Sequence, residues 1–228
     1  MRTYLDYNAT APLRPEARAA MTSALDEPGN ALSVHAEGRR ARARIETARS
    51  QIATLVGAAS DDVIFTSGGS EANALALRGA IQAAAATGER ITRLIVSAVE
   101  HDSILSNAST CEEITPGLRL VTCPVTPQGV VDLIEFKRML AEGKGRALVS
   151  IMAANNETGA IQPLAEIIAI AKANGALIHS DAVQIAGKLP IGFNDLGLDY
   201  MTISAHKLGG PQGTGALIAR QGAPLSRQ

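Results

Sequence analysis

Residues 62–86, DVIFTSGGSEANALALRGAIQAAAA, decide how the rest of the chain is read. Val63, Ile64 and Phe65 form a short apolar run with acidic residues before it and Ser67-Gly68-Gly69-Ser70 after it. A run of that length, bounded by turn residues, reads as a buried strand. From Glu71 to Ala86 the chain is rich in Ala and Leu, which is helix composition. The unit is therefore strand, glycine turn, helix.

The same alternation extends in both directions. Upstream, Pro15 to Leu25 reads as a short first helix, and Ala36 to Val56 as a longer, charged, surface-lying one closed by Gly57. Downstream, strands are predicted over 93–98, 118–123, 147–153, 176–180, 200–204 and 215–219, with helices over 103–109, 132–141 and 164–173. The strands lack polar alternation, so both of their faces are buried. Strands and helices alternating at this length predict an α/β fold: a mostly parallel sheet with helices on both faces.

Composition narrows the function. The 228 residues are 46% hydrophobic and 19% charged with a net charge of −1, which excludes disorder and, with no block of like charge, leaves no nucleic-acid or anionic-membrane footprint. No uncharged apolar run reaches the roughly 18 residues of a spanning helix. Aromatics at 3% and the absence of Trp argue against a surface that stacks bases or sugars. Cys111 and Cys123 are too few for a disulfide scaffold, and the first residues have no apolar signal core, so a cytoplasmic setting and a small-molecule partner are expected. By length the chain is one large domain or one and a half ordinary ones.

In an open parallel sheet ligands bind beyond the carboxyl ends of the strands, and the residues there are unusually polar. The Gly68-Gly69-Ser70 turn leads into a helix whose free N–H groups suit a phosphate, although such a turn also serves as a plain connection with a Ser cap. Glu100-His101-Asp102-Ser103 offers His101 as a stacking or acid–base group, or only Asp102 or Ser103 as a helix cap. Asn155-Asn156 before Thr158-Gly159 is also ordinary turn chemistry. Asp181 ends a strongly apolar strand, and a buried carboxylate needs a cationic or protonated partner to stay charged. Lys207 follows the next strand, where partial desolvation lowers an amine's pKa and readies it for carbonyl chemistry. A phosphate turn, an Asp and a Lys along one sheet edge are what pyridoxal 5′-phosphate (PLP) requires. The plainer alternative is an Asp181–Lys207 ion pair. A metal site built from His101, His179, Asp181 and His206 lacks the close pairing of zinc ligands, so no metal is expected.

The strings YLDYNATAP (4–12), Gly29-Asn30 followed by Ser33-Val34-His35, VIFTSGGSEANALAL (63–77), VEHDSIL (99–105), VSIMAANNETGAIQP (149–163), HSDAVQIAGKLP (179–190) and ISAHKLGGPQGTGAL (203–217) resemble the cysteine desulfurase family. That family lies within the class V aminotransferase group of fold-type I PLP enzymes. The resemblance implies that Lys207 carries PLP and later moves protons, Asp181 pairs with the pyridine nitrogen, and His101 stacks on the ring and assists proton transfer. Gln184 would bond the ring's phenolic oxygen. Gly69, Ser70, Ser204 and His206 would hold the phosphate, and Asn156 would lie near the ring oxygen and the substrate carboxylate. Ser70 stands where the family commonly has Thr, with the hydroxyl kept.

The resemblance further implies a PLP-binding large domain over 15–228, incomplete at its C-terminus. Residues 1–14 would belong to a small domain whose C-terminal part is absent, making the chain an N-terminal fragment. That absent part would carry the sulfur-accepting Cys, the Arg for the substrate carboxylate and a phosphate ligand reaching across the dimer. Cys111, expected on a helix-to-strand connection, and Cys123, at a strand end, do not match the nucleophile. The implied reaction converts L-cysteine to L-alanine and an enzyme persulfide for iron–sulfur cluster assembly. The intact enzyme would be a homodimer serving a sulfur-acceptor scaffold protein, and this chain alone would be inactive. A selenocysteine lyase, another class V aminotransferase and a non-catalytic truncated product are the alternatives.

Overall fold

Among the described residues, seven strands meet in one sheet. They are β1 (Val63–Thr66), β2 (Ile91–Ser97), β3 (Arg119–Cys123), β4 (Arg146–Ser150), β5 (Leu177–Asp181), β6 (Tyr200–Ser204) and β7 (Gly215–Ala219), in the order β1-β7-β6-β5-β4-β2-β3. The computed structural model describes residues 3–226, so the outermost two residues at each end of the expected domain segments lie outside the described residues. The block from β3 to β6 is parallel, and β7 runs antiparallel to both β6 and β1. The expected mostly parallel sheet is thus present, and β1 points the same way as β6. All strands but β7 deliver their carboxyl ends to one edge. The chain reverses its direction of travel across the sheet at β2, with β3 on one side and β4 on the other. This is the topological switch point at which ligand clefts form.

Adjacent residues along the strands face opposite layers. Ile95, Val149, Ile178, Met201 and Ile218 belong to one buried cluster with α2 (Ala36–Val56), α5 (Leu133–Glu142) and α6 (Leu164–Ala173). Leu94, Leu148, Leu177, Tyr200 and Leu217 belong to the other, with α3 (Gly69–Ala86) and α4 (Asp102–Ile114). The central strands are buried on both faces because both are covered, whereas the edge strand β3 leaves Arg119 and Thr122 exposed. Gly57 ends α2 in the left-handed conformation (φ 64°), which favours glycine. At the start of β7, a Cβ on Gly215 would come within 2.6 Å of the Gly68 backbone. The turn after β1 is therefore pressed against its neighbour strand.

Among strands and α-helices, three departures from expectation exceed two residues. Helix α4 runs to Ile114 rather than stopping near Ser109, because Ile104, Ala108 and Cys111 form one buried stripe that outweighs the weak helix preference of Ser109 and Thr110. Cys111 therefore lies inside a helix, not on the connection after it. Strand β4 ends at Ser150, while Ile151 and Ala153 continue to donate to the His179 and Asp181 carbonyls. The short α7 (Phe193–Leu196) was not expected and buries Phe193.

The N-terminal part is attached differently. Helix α1 (Pro15–Leu25) buries none of its residues. The segment before it runs along the sheet edge, where Ala11 N donates to His206 O and Arg14 N to Gly209 O, each at 2.8 Å. Among the described residues no helix is long and apolar enough to cross a membrane.

Candidate active site

One cavity of about 420 Å³ opens at the carboxyl edge of the sheet. It is lined by Gly69 and Ser70 after β1, His101 after β2, Asn156 after β4, Asp181 at the end of β5 and Gln184 after it, and Ser204 at the end of β6 with His206 and Lys207 after it. Each residue to which the family resemblance gives a role in holding PLP reaches this cavity. Asn8 and Asp6 of the N-terminal segment, with Asn73, Ser103, Met152 and Glu157, complete much of its wall.

The end of β1 makes an anion-friendly corner. No side chain caps α3, whose N-cap is Gly68, so the expected Ser cap is not there and the positive end of the helix is left to a ligand. Glu71 folds back onto Ser67, accepting from its backbone N–H at 2.6 Å and from its hydroxyl at 2.5 Å. These bonds hold the Glu71 carboxyl below its usual range and brace the turn. A Cβ on Gly69 would meet Val183 Cγ2 at 3.1 Å and Ser204 Cβ at 3.4 Å, so glycine keeps room at the corner.

Asp181 lies at the buried end of β5, only 5% exposed. Its Oδ2 accepts from Asn73 Nδ2 at 2.8 Å and its Oδ1 from Val183 N at 2.9 Å. Both partners are neutral. Burial raises the carboxyl's pKa; these two bonds, and then neighbouring His101 and Lys207, oppose the rise. The direct Asp181–Lys207 ion pair left open by the sequence is not formed. Lys207 Nζ instead donates to the carbonyls of Asn8 and, at 2.8 Å, Ala9. Burial first, and then neighbouring Lys188, holds the Lys207 amine below the usual lysine range.

His101 has two tasks. Its Nδ1 accepts from Ser103 N at 3.0 Å, which caps α4; the cap is the histidine itself and neither Asp102 nor Ser103. An N–H can only donate, so Nδ1 is unprotonated and the neutral ring carries its proton on Nε2. Of the tandem asparagines, Asn155 makes the turn, accepting from Glu157 N and Thr158 N, which leaves Asn156 to line the cavity. His206 Nδ1 lies 3.2 Å from Thr10 Oγ1. His179 is enclosed between Ser150 Oγ at 2.9 Å and Thr202 Oγ1 at 3.0 Å, and burial lowers its pKa to about 3. It is a neutral bridge between strands rather than a cavity group.

Several participants went unassigned in the sequence. Asn73 follows Gly69 by one helical turn, a spacing that places it on the same helix face. Glu100, beside His101, is 6% exposed and accepts from Met152 N at 2.8 Å. Burial pushes its pKa up to about 8, with Asp181 adding to the rise. Asn8 meets Lys207 and Gln184 through its backbone: its carbonyl accepts from Lys207 and from Gln184 Nε2. No side-chain pattern could have flagged that. Cys111 and Cys123 are 1% and 0% exposed. Burial raises both thiols, Cys123 to about 12.

The donor set suits one kind of ligand. Hydroxyls beside an uncapped helix N-terminus fit a phosphate, a buried carboxylate with only neutral contacts fits a protonated ring nitrogen, and a lysine with a lowered pKa fits an aldehyde. The family model described as "Aminotransferase class-V" matches residues 3–225. The "Cysteine desulfurase IscS" of Dictyoglomus turgidum is 44% identical over 223 residues, 97% of this chain and 55% of that protein. Among solved structures, a NifS-like protein from Rickettsia africae superposes with a TM-score of 0.84 at 39% identity, covering 96% of this chain and 58% of that one. A structure described as "SspA in complex with cysteine" superposes with a TM-score of 0.90 at 30% identity, covering 99% of this chain and 64% of that one. The chain spans about half the length of the curated relatives it matches.

Proposed function

The chain belongs to the class-V aminotransferase family, and on that premise we propose that its cavity binds PLP and serves a cysteine desulfurase. The reaction takes the sulfur of L-cysteine onto an enzyme thiol: the carbon–sulfur bond breaks, a sulfur–sulfur bond forms, and L-alanine leaves. The observation that carries the proposal is the convergence of Lys207, buried Asp181, His101 and the uncapped start of α3 on one cavity. Relatives named as cysteine desulfurases, and a structural neighbour solved with cysteine, support L-cysteine as the substrate.

When bound, PLP supplies an electron sink for the bonds at the substrate's α-carbon. Gly69 and Ser70, with Ser204 and His206, hold its phosphate. Asp181, fixed by Asn73 and Val183 N, offers a carboxylate to the ring nitrogen, and Gln184 and Asn156 orient the ring's oxygen side. Lys207 anchors the cofactor, and its lowered pKa favours the neutral amine, so that Nζ accepts and returns a proton. His101 holds a proton at Nε2, since Nδ1 is occupied by Ser103. The thiol that receives sulfur is neither Cys111 nor Cys123, because both are buried with raised pKa values and lie outside the cavity wall. A homodimer, a sulfur-acceptor protein for iron–sulfur cluster assembly and a cytoplasmic setting belong to the same proposal.

The test is made on the whole protein that contains this chain. With added PLP it develops the visible absorbance of lysine-bound pyridoxal and releases alanine from L-cysteine, and Lys207→Ala does neither. Amino-group transfer to a keto acid without alanine release from cysteine would overturn the desulfurase assignment in favour of an aminotransferase.

A further inference from the structure

Asn73 lies near the start of α3 at 1% exposure, and its Nδ2 serves two acceptors at once. One is Asp181 Oδ2 at 2.8 Å, the other Ser103 Oγ at 2.9 Å. Its Oδ1 is buried without a hydrogen-bond partner. A primary amide nitrogen has two hydrogens, so both bonds are available to it. The flipped orientation would set the amide oxygen against the Asp181 carboxylate, acceptor to acceptor. An unpaired buried carbonyl is costly, so the two acceptors impose this orientation. Ser103 carries the connection onward, with its N–H and its Oγ at 3.0 and 2.8 Å from His101 Nδ1.

We infer that Asn73 is a positioning residue that joins the two sides of the site: one N–H orients Asp181 as a carboxylate, while the other holds Ser103, and through it His101, in place. The inference rests on the proposed function only in treating Asp181 and His101 as site residues. Hydrogen bonds to the charged form of an acid favour ionisation, and Asn73 is the first of the influences that oppose the effect of burial on Asp181. The titratable and charged groups facing Asp181 are Glu100 and His101 from the connection after β2, and Lys207 after β6.

The test uses the ligand-free protein, so failure of PLP binding leaves it intact. Thermal stability is followed against pH in a Glu100→Gln background, and the difference made by Asp181→Asn reports the protonation of Asp181. Asn73→Ala moves the Asp181 midpoint up by about one pH unit. Asn73→Asp, which replaces the donor with an acceptor of the same shape, moves it further. A residue that merely fills space gives the reverse order, with Ala the more disruptive and Asp close to wild type, and that order overturns the inference. Should the Asn73 variants not fold, the two side-chain amide protons of Asn73 are resolved by NMR in the wild type. Asp181→Asn then shifts one and Ser103→Ala the other, and resonances indifferent to both changes overturn the inference equally.

Discussion

Helices α1 and α3 are both rich in alanine, yet their fates are opposite. Helix α1 buries nothing, whereas α3 buries Ala72, Asn73, Ala76, Leu77, Gly79, Ala80, Ile81 and Ala84. Propensity is similar in the two. The difference is that β1 and its turn deliver α3 onto the sheet, while α1 follows a segment held by a few backbone hydrogen bonds. The two regions also build the site differently. The sheet region supplies side chains fixed by burial, and the N-terminal segment supplies carbonyl oxygens, such as those of Asn8 and Ala9 on Lys207.

The contrast is broken most severely at Asp181. Asp181→Asn is expected to lower the rate of alanine formation by the whole protein by roughly 10²–10⁴-fold. The same change raises the melting temperature of the ligand-free form, because a buried charge with only neutral contacts is removed. Activity assays and calorimetry on one preparation check both directions. A loss of both activity and stability would make Asp181 a structural residue.

Next in size is Leu77→Ala. Leu77 is fully buried between α3 and the sheet, so the truncation costs about 2–5 kcal/mol of unfolding free energy, measured by denaturant titration.

Glu100→Gln should act through pH. The folded protein keeps the Glu100 proton up to about pH 8, whereas the unfolded chain releases it near the ordinary value of 4.5. Between these values the folded state binds more protons, so stability falls as pH rises. Glutamine removes that slope, which is expected to span up to about 5 kcal/mol over the window. Unfolding titrations at several pH values check it, and an unchanged slope would mean that Glu100 is ionised in the fold.

The smallest effect belongs to the N-terminal region. Leu32, 90% exposed, should tolerate Leu32→Ser within about ±0.5 kcal/mol in the titration that registers Leu77→Ala.

The same contrast explains what could be read from the sequence. Strands β6 and β7 and helices α1, α2 and α6 fall on their predicted residues because apolar runs and Gly or Pro boundaries coincide there. The end of α4 was hidden because Ser109 and Thr110 signal a stop locally, and only the burial of Cys111 overrules them. His101, Asp181 and Lys207 were legible because each follows a strand end, where ligand chemistry belongs. Asn73 escaped because its importance lies in two partners distant in sequence. Asn8 escaped because its contacts to Lys207 and Gln184 use the backbone, which every residue possesses.

The central claim, that Lys207 is the residue that carries PLP, is tested most directly by trapping. The protein is incubated with PLP, reduced with borohydride and mapped by peptide mass spectrometry. Lys188 is an internal control, since it too has a lowered pKa and lies close enough to influence Lys207. Label confined to Lys207 is the predicted result, and label on Lys188, or spread over many lysines, would contradict the account.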